Sequence, residues 1–308
     1  MSASLKLTNA KALQSFIRTF QKTFLSLLYS NFDTAKYVTH HAMTKGEKVL
    51  TQILIGDIVK RWSKTFDPVA DAVDFNPRTL YTKLVKADIE IFPQEFFDTY
   101  LGQMYQGAID PKKIPFHKAI FMEILKKIAS EQEYAAWWGE EAAVPASTDL
   151  LKQVVDGYGT KAKAEATAGN LTVTATGAIN STNAVDAVET VYLALDKEIR
   201  KGAVAIFMTN GVKVDYLKDY RNKYGAKNLT KDYLQFDLSN KAKIIEIPGD
   251  TDFVMCTPTR NMHYGYQLPS DEMFRFKDEI RSIQAAMDFR IGFEFGIADP
   301  AIISLNDQ

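Results

Sequence analysis

Residues 86–100, KADIEIFPQEFFDTY, change their periodicity halfway, and this change indicates how the chain is built. Before Pro93, Ala87, Ile89 and Ile91 alternate with charged residues, the period-two pattern of a strand buried on one face. After Pro93, apolar residues recur at the three and four spacing of a helix, namely at Phe96, Phe97, Tyr100, Leu101 and Met104. The stretch therefore predicts a half-buried strand that leads directly into an amphipathic helix.

Three more segments have a clear pattern. Residues 116–138 carry apolar side chains at spacings of three and four, which predicts a long helix anchored by two tryptophans and ended by Gly139. Residues 289–297 alternate aromatic or aliphatic residues with polar residues or glycine, which predicts a strand with one aromatic face. Residues 203–208 are continuously apolar, which is typical of a buried central strand.

The remaining segments are less regular. Residues 49–81 are broken by Gly56, Pro68 and Pro77, which predicts an extended excursion. We expect one helix between 183 and 199, another begun by an Asn210 cap and ending at Tyr224, and strands at 244–247 and 253–256. Residues 158–177 contain almost no large apolar side chain and are predicted to form a mobile or edge-lying loop. Helices and strands without regular βαβ repetition indicate the α+β class.

Composition narrows the class of protein. The chain has 308 residues, 46% hydrophobic residues and a formal net charge of −1, which fits one or two folded globular domains. The first 60 residues are basic, with eight Lys or Arg against three Asp or Glu, and they face either solvent or a polyanion such as packaged nucleic acid. Neither a secretory signal nor a membrane-spanning segment is expected.

No catalytic, metal or cofactor site is predicted. The single cysteine, Cys256, is expected to be a buried hydrophobe with a raised pKa. The histidines, His40, His41, His117 and His263, have no second ligand at a suitable sequence spacing. Residues 157–161, GYGTK, lack the spacing of a phosphate-binding loop, so a nucleotide site is not expected.

The order of these pieces resembles the tailed-phage major capsid proteins of the Hong Kong 97 fold. The resemblance covers most of the chain from about residue 80. Its motifs are KADIEIFPQEFFDTY at 86–100, YAAWWGE at 134–140, AVAIFMTN at 203–210, YLKDYRNKYG at 216–225 and FRIGFEFGIADPAI at 289–302.

The resemblance implies a domain layout. Residues 1–47 would form an N-terminal arm, and 48–92 an extended loop that lies over a neighbouring subunit. Residues 93–149 and 262–308 would form a peripheral domain whose spine helix is 116–138. Residues 150–261 would form an axial domain.

The resemblance also implies partners and a location. The chain would assemble with itself into hexamers and pentamers of an icosahedral phage head that encloses double-stranded DNA, held by non-specific contact. Some members carry a long helical scaffolding segment before the loop; this chain has no room for one, so we expect either a separate scaffold protein or a mature form, and the initial methionine favours the former. A portal, assembly in the bacterial host cytoplasm and a place in the virion are also expected, without a membrane or a cofactor.

The loop supplies the candidates for contact between subunits: Lys60, Arg61, Trp62, Lys64, Phe66 and Phe75. Its charged residues could pair with a neighbour, at about 0–1 kcal/mol for each exposed pair. Its aromatic residues would contribute more, about 1.5–3 kcal/mol for each fully buried side chain. Burial of these aromatics within their own subunit is the alternative.

Two other functions stay open at this point. Encapsulin-type compartment shells share the fold, and they differ from phage heads in enclosing protein cargo. A cytosolic nucleotide-binding enzyme that uses residues 157–161 is the alternative from another class.

Overall fold

The computed structural model describes residues 33–43, 46–55, 58–69, 73–92, 116–146, 148–225, 235–236, 238–267, 274–279 and 282–307. Its strands are β1 Thr39–Met43, β2 Glu47–Ile55, β3 Val73–Tyr81, β4 Lys83–Ile91, β5 Thr172–Thr174, β6 Val204–Thr209, β7 Gln235–Phe236, β8 Ser239–Ile247, β9 Val254–Pro258, β10 Met262–Gln267, β11 Phe274–Asp278, β12 Ile283–Phe295 and β13 Ser304–Asn306. Its α-helices are α1 Phe116–Trp138, α2 Tyr158–Thr167, α3 Ala184–Leu193, α4 Lys197–Arg200 and α5 Asn210–Tyr224. The helix predicted at 94–104 and most of the basic N-terminal residues lie outside the described residues.

The first sheet is organised around β12, the longest of the described strands. β4 pairs with it antiparallel over residues 283–291, β11 over 283–287 and β10 over 291–295, while β1 adds to β10 in parallel. The predicted strand at 85–91 is therefore confirmed, and so is the strand predicted at 289–297, although β12 begins at Ile283 and ends at Phe295. Phe289, Phe293 and Phe295 are buried, as the alternating pattern required.

The second sheet has the order β5-β13-β9-β6-β8-β7. All residues of β6 are buried, which confirms the predicted central strand. β8 and β9 follow each other in the chain, yet β6 lies between them, parallel to β8 and antiparallel to β9. Ile206 and Cys256 pack towards α3 and α5 on one face of this sheet, and Phe207 and Met255 pack towards α1 and α2 on the other.

The C-terminal end of α1 ties the two sheets together. The helix has the predicted bounds, and the indole ring of Trp137 is fully buried, 4.8 Å from the ring of Phe207. The indole nitrogen of Trp137 donates to the Thr34 hydroxyl at 2.7 Å, and that of Trp138 donates to the carbonyl of Pro248. Buried indole nitrogens need such partners, so these bonds hold the helix end in one position.

The prediction of a loop at 158–177 is wrong, because residues 158–167 form helix α2 and residues 172–174 form strand β5. The helix packs through small residues. A side chain at Gly159 would place its Cβ 2.7 Å from the carbonyl oxygen of Trp137, so only glycine allows this close approach. Tyr158 and Ala162 of this helix are fully buried. They supply apolar contacts although the segment contains almost no large apolar side chain.

Two helix predictions also need correction. The single helix expected from 183 to 199 is two helices, since α3 ends at Leu193 and the Asp196 carboxylate caps α4 by accepting from the Glu198 amide at 2.7 Å. Helix α5 begins one residue earlier than predicted. Asn210 is its first residue rather than its cap, and the Asn210 amide side chain bonds Glu246.

Candidate functional site

The most distinctive surface is the hairpin of β2 and β3. Its register runs from Glu47 opposite Tyr81 to Ile55 opposite Val73, and it confirms the extended excursion predicted for residues 49–81. Neither strand pairs with any other strand in the described part of the chain. An isolated two-stranded hairpin is marginally stable in water at best, so contacts at its root or with a partner must hold it.

The distal end of the hairpin exposes aromatic side chains. Trp62 is 80% exposed and Phe66 is 92% exposed, with Val59 beside them at 93%. Burial of Trp62 and Phe66 within their own chain is thereby excluded as the role of these residues. Phe75 lies in β3 opposite Ile53, and its side chain is outside the described residues. Exposed aromatic side chains gain free energy when a partner covers them, and the contact role of Trp62 and Phe66 stays a prediction.

The charged candidates lie on the same segment. The ammonium of Lys60 is 3.2 Å from the carboxylate of Asp67, so this pair closes within the loop. Arg61 and Lys64 are exposed and have no ion-pair partner among the described residues. The hairpin tip, residues 58–69, thus combines apolar side chains with unpaired positive charge.

Ion pairs fix the root of the hairpin. The guanidinium of Arg78 on β3 donates to Glu165 of α2 at 2.5 Å and to Glu294 of β12 at 3.1 Å. The ammonium of Lys161 donates to the other oxygen of Glu294 at 2.7 Å. Burial raises the pKa of Glu165, but hydrogen bonds from Asn170 and Arg78 outweigh it and hold this pKa below its usual value.

Two glycines let the root cross the first sheet in direct contact. A Cβ at Gly292 would lie 1.9 Å from the carbonyl oxygen of Tyr81, and one at Gly265 would lie 2.7 Å from the Thr82 methyl group. Thr82 closes the root by donating its amide and hydroxyl to the Gly46 carbonyl, at 2.7 and 3.1 Å. An isolated glycine inside the alternating pattern of β12 was the available sequence signal for this close approach.

A groove of about 950 Å³ lies between β4, α1 and residues 141–154. Its apolar lining includes Leu84, Ile124, Ile128, Leu150 and Val154. Its acidic residues are Asp88, Glu123, Glu131, Glu141, Asp149 and Asp288, against the basic residues Lys83, Lys86 and Lys127. The groove is therefore apolar within and acidic in balance, which is the complement of the hairpin tip.

The other residues that could take part in catalysis, nucleotide binding or metal binding have the following positions. Cys256 is buried, and burial raises the pKa of its thiol, as predicted. Lys161 is held by Glu294 and by the carbonyl of Phe293, so residues 157–161 form the start of α2 with their lysine engaged. Among the described residues, no group of three or more His, Cys, Asp or Glu could hold a metal ion, and no helix is long and apolar enough to cross a membrane.

One pair of histidines is close in space but distant in the sequence. His41 on β1 and His263 on β10 are separated by most of the chain, yet their rings stack with centroids 5.0 Å apart. The parallel pairing of β1 with β10 brings them together, which sequence spacing could not reveal. The side chain of His117 lies outside the described residues.

No family model and no curated protein matches this sequence. Solved structures, in contrast, are similar over nearly the whole chain. A chain of the satellite phage P4 procapsid, determined with its size determination (Sid) protein, is 13% identical, with 93% of this chain and 98% of that chain covered at a TM-score of 0.57. A chain of the capsid of an empty GTA particle is 15% identical, and the similarity covers 88% of this chain and 87% of that chain at a TM-score of 0.54. A chain of Gordonia phage Cozz is 9% identical, and the similarity covers 89% of this chain and 85% of that chain at a TM-score of 0.55.

These similarities concern the fold. The predicted α+β architecture of the Hong Kong 97 capsid type is confirmed, because the matched chains come from phage or GTA particles and the similarity extends over 88–93% of this chain. The predicted boundaries of arm, loop, peripheral and axial domains stay predictions.

Proposed function

We propose that this chain is a major capsid protein that assembles with itself into the hexamers and pentamers of an icosahedral phage head. The observation that carries the proposal is the hairpin with an ordered root and an aromatic, basic tip that its own chain leaves uncovered. A monomeric protein gains no stability from a hairpin whose tip stays exposed to water. A shell subunit needs such a hairpin, because neighbouring subunits stabilise it by covering its apolar residues.

The groove beside α1 is the surface that we propose receives the tip of a neighbouring subunit. Arg61 and Lys64 would face its acidic rim, while Trp62 and Phe66 would enter its apolar interior. Each aromatic side chain that becomes fully buried would contribute about 1.5–3 kcal/mol. Repeated around a capsomer, such contacts close a ring without any further partner.

The other features of the proposal follow from the resemblance. Residues 1–47 act as the arm and 150–261 surround the symmetry axis, whereas 93–149 and 262–308 form the periphery. The shell encloses double-stranded DNA by non-specific contact, and assembly in the bacterial host cytoplasm uses a separate scaffold protein and a portal. The role is structural rather than enzymatic.

The test is a shortened hairpin. Ile55 and Val73 are register partners, so replacement of residues 56–72 by Asn-Gly joins them through a two-residue turn and leaves the root intact. We expect this variant to fold, by circular dichroism and thermal melting, but to form no closed shells in negative-stain electron microscopy. Wild-type protein expressed with the other head proteins of its source should form closed shells. Normal shells from the shortened variant would contradict the assembly role.

A finer variant tests the aromatic residues alone. Trp62→Gln with Phe66→Gln keeps the length of the tip and removes its apolar surface, so we expect loss of assembly. The matched control is Ser63→Ala with Thr65→Ala, which changes two exposed polar residues between them and should assemble normally. Analysis of the shell contents separates a phage head, which contains DNA, from a compartment that contains a protein cargo.

A further inference from the structure

The histidine pair at the hairpin root forms part of a defined chain of hydrogen bonds. The ammonium of Lys48 on β2 is 2.8 Å from Nδ1 of His41, and Nε2 of His41 is 2.8 Å from Nδ1 of His263. His263 is 8% exposed, and its Nε2 is buried without a hydrogen-bond partner among the described residues. The chain therefore links β2, β1 and β10 through side chains.

The position of Lys48 determines both tautomers. An ammonium group can only donate, so Nδ1 of His41 accepts, and the proton of His41 resides on Nε2. That proton is donated to Nδ1 of His263, whose own proton must then lie on Nε2. Both imidazoles are neutral in this arrangement.

The geometry leaves no place for a proton on both imidazoles. A proton on Nδ1 of His41 faces the Lys48 ammonium, and it is accepted only when the exposed Lys48 side chain turns into solvent. With that proton in place, a proton on Nδ1 of His263 would point at the N–H of His41, so two donors would face each other without an acceptor. Charging both imidazoles therefore requires β1 to move away from β10.

The groups around the pair do not supply an acceptor. Glu294, opposite His263 in the register of β12, is engaged by Arg78 of β3 and Lys161 of α2. The hydroxyl of Tyr158 donates to the carbonyl of His263, and His40 on β1 bonds the carbonyl of Ala35. The other titratable or charged residues on β2, β10 and β12 are Glu47, Tyr264, Tyr266, Asp288 and Arg290, and Arg260 lies just before β10.

We propose that the chain of Lys48, His41 and His263 is an acid-sensitive clasp that holds β1, and with it the hairpin root, on the first sheet. Protonation of the imidazoles opens the clasp and releases β1 from β10. This device is a property of the folded chain and does not depend on shell formation.

The direction of the pH dependence follows from the two states. Burial, Lys48 and His40 lower the pKa of His41, and burial, His41 and Lys48 lower the pKa of His263 to about 4. Released imidazoles return to their ordinary pKa of about 6.5. The open state therefore binds more protons below pH ~6.5, so the clasp is fully stabilising above that pH and weakens as the pH falls towards ~4.

Hydrogen exchange detected by mass spectrometry tests the clasp on the full chain. Exchange of peptides from β1 is compared at pH 7.5 and 5.5 after correction for the intrinsic rate at each pH, with β6 as the internal reference. We expect the opening equilibrium of β1 to rise about tenfold for each released histidine, and so up to about a hundredfold, while β6 is unchanged.

Matched variants identify the source of the effect. His41→Gln keeps a donor towards His263 but cannot titrate, so the rise should shrink to about tenfold. His40→Gln alters the adjacent histidine, whose side chain is exposed and bonded elsewhere, and should keep the full rise. Lys48→Gln provides a second route if the first variant is poorly folded. It removes the cation that faces Nδ1 of His41, and so should reduce the rise to about tenfold.

Two results would overturn the proposal. One is a β1 opening equilibrium that is the same at pH 7.5 and 5.5. The other is an equal loss of pH dependence in His40→Gln and His41→Gln. Because the measurement is made on whichever particle the chain forms, failure of assembly and failure of the clasp are distinguishable.

Discussion

The β6 strand and the β2–β3 hairpin are opposite solutions to the problem of stabilising a strand. Both faces of β6 are covered by its own chain, with α3 and α5 on one side and α1 and α2 on the other. The hairpin is held at its root by ion pairs and a close backbone crossing, and its tip is exposed. The strand is thus stabilised within its own chain, whereas the described residues leave the tip of the hairpin uncovered.

The largest expected loss of stability comes from a substitution in β6, the strand that is covered by its own chain. Phe207→Ala removes a fully buried ring that packs on Trp137, and should lower the free energy of unfolding by about 3–5 kcal/mol. Trp62→Ala, at the exposed tip, should change the stability of the unassembled chain by less than about 0.5 kcal/mol. Denaturant unfolding of both variants measures the contrast, and equal losses would show that the tip is buried in solution.

A second substitution separates the hairpin from its sheet. Gly292→Ala forces a methyl group against the Tyr81 carbonyl, and should cost about 1–3 kcal/mol through displacement of the root. Gly211→Ala is the control, because its Cβ meets open space in helix α5 and should be neutral or stabilising by up to about 1 kcal/mol. Faster proteolysis of the hairpin in Gly292→Ala, relative to the control, locates the damage at the root.

The charge cluster at the root should have a smaller effect. Glu294→Gln keeps the shape of the side chain and removes the anion shared by Arg78 and Lys161, for an expected loss of about 1–2 kcal/mol. Since the pKa of Glu165 is lowered, its pairing with Arg78 stabilises the fold above the ordinary pKa of ~4.5 and is lost as the pH falls below it. Urea unfolding at pH 7 and pH 4 measures both effects, and a variant as stable as wild type at pH 7 would contradict this account.

The smallest effect is expected at the exposed pair in the tip. Asp67→Asn breaks the contact with Lys60, but salt and solvent screen this pair, so the unassembled chain should lose about 0–1 kcal/mol. The freed Lys60 adds positive charge to the tip. If the tip meets the acidic groove of a neighbour, light scattering at low salt should show assembly that is unchanged or stronger.

Local sequence pattern was sufficient to predict an element where its apolar residues follow one periodicity or form one continuous run. The bounds of α1, the burial of β6 and the aromatic face of β12 were predictable because periodicity reports which side chains point to the core. The hairpin was predictable as an extended excursion, though its register was not. Helix α2 was missed because it packs through glycine and alanine, and small residues leave no apolar stripe in the sequence.

Patterns among neighbours along the chain were enough to predict an α+β fold and the order of its main elements. They also gave the contact candidates Lys60, Arg61, Trp62, Lys64, Phe66 and Phe75, which stay predictions. The exposure of Trp62 and Phe66, the crossing over Gly265 and Gly292, and the contact of His41 with His263 became visible only in the folded chain. Those features arise where distant segments pair, as β1 does with β10. Pairing of this kind is set by the balance of the whole core, so no local pattern encodes it.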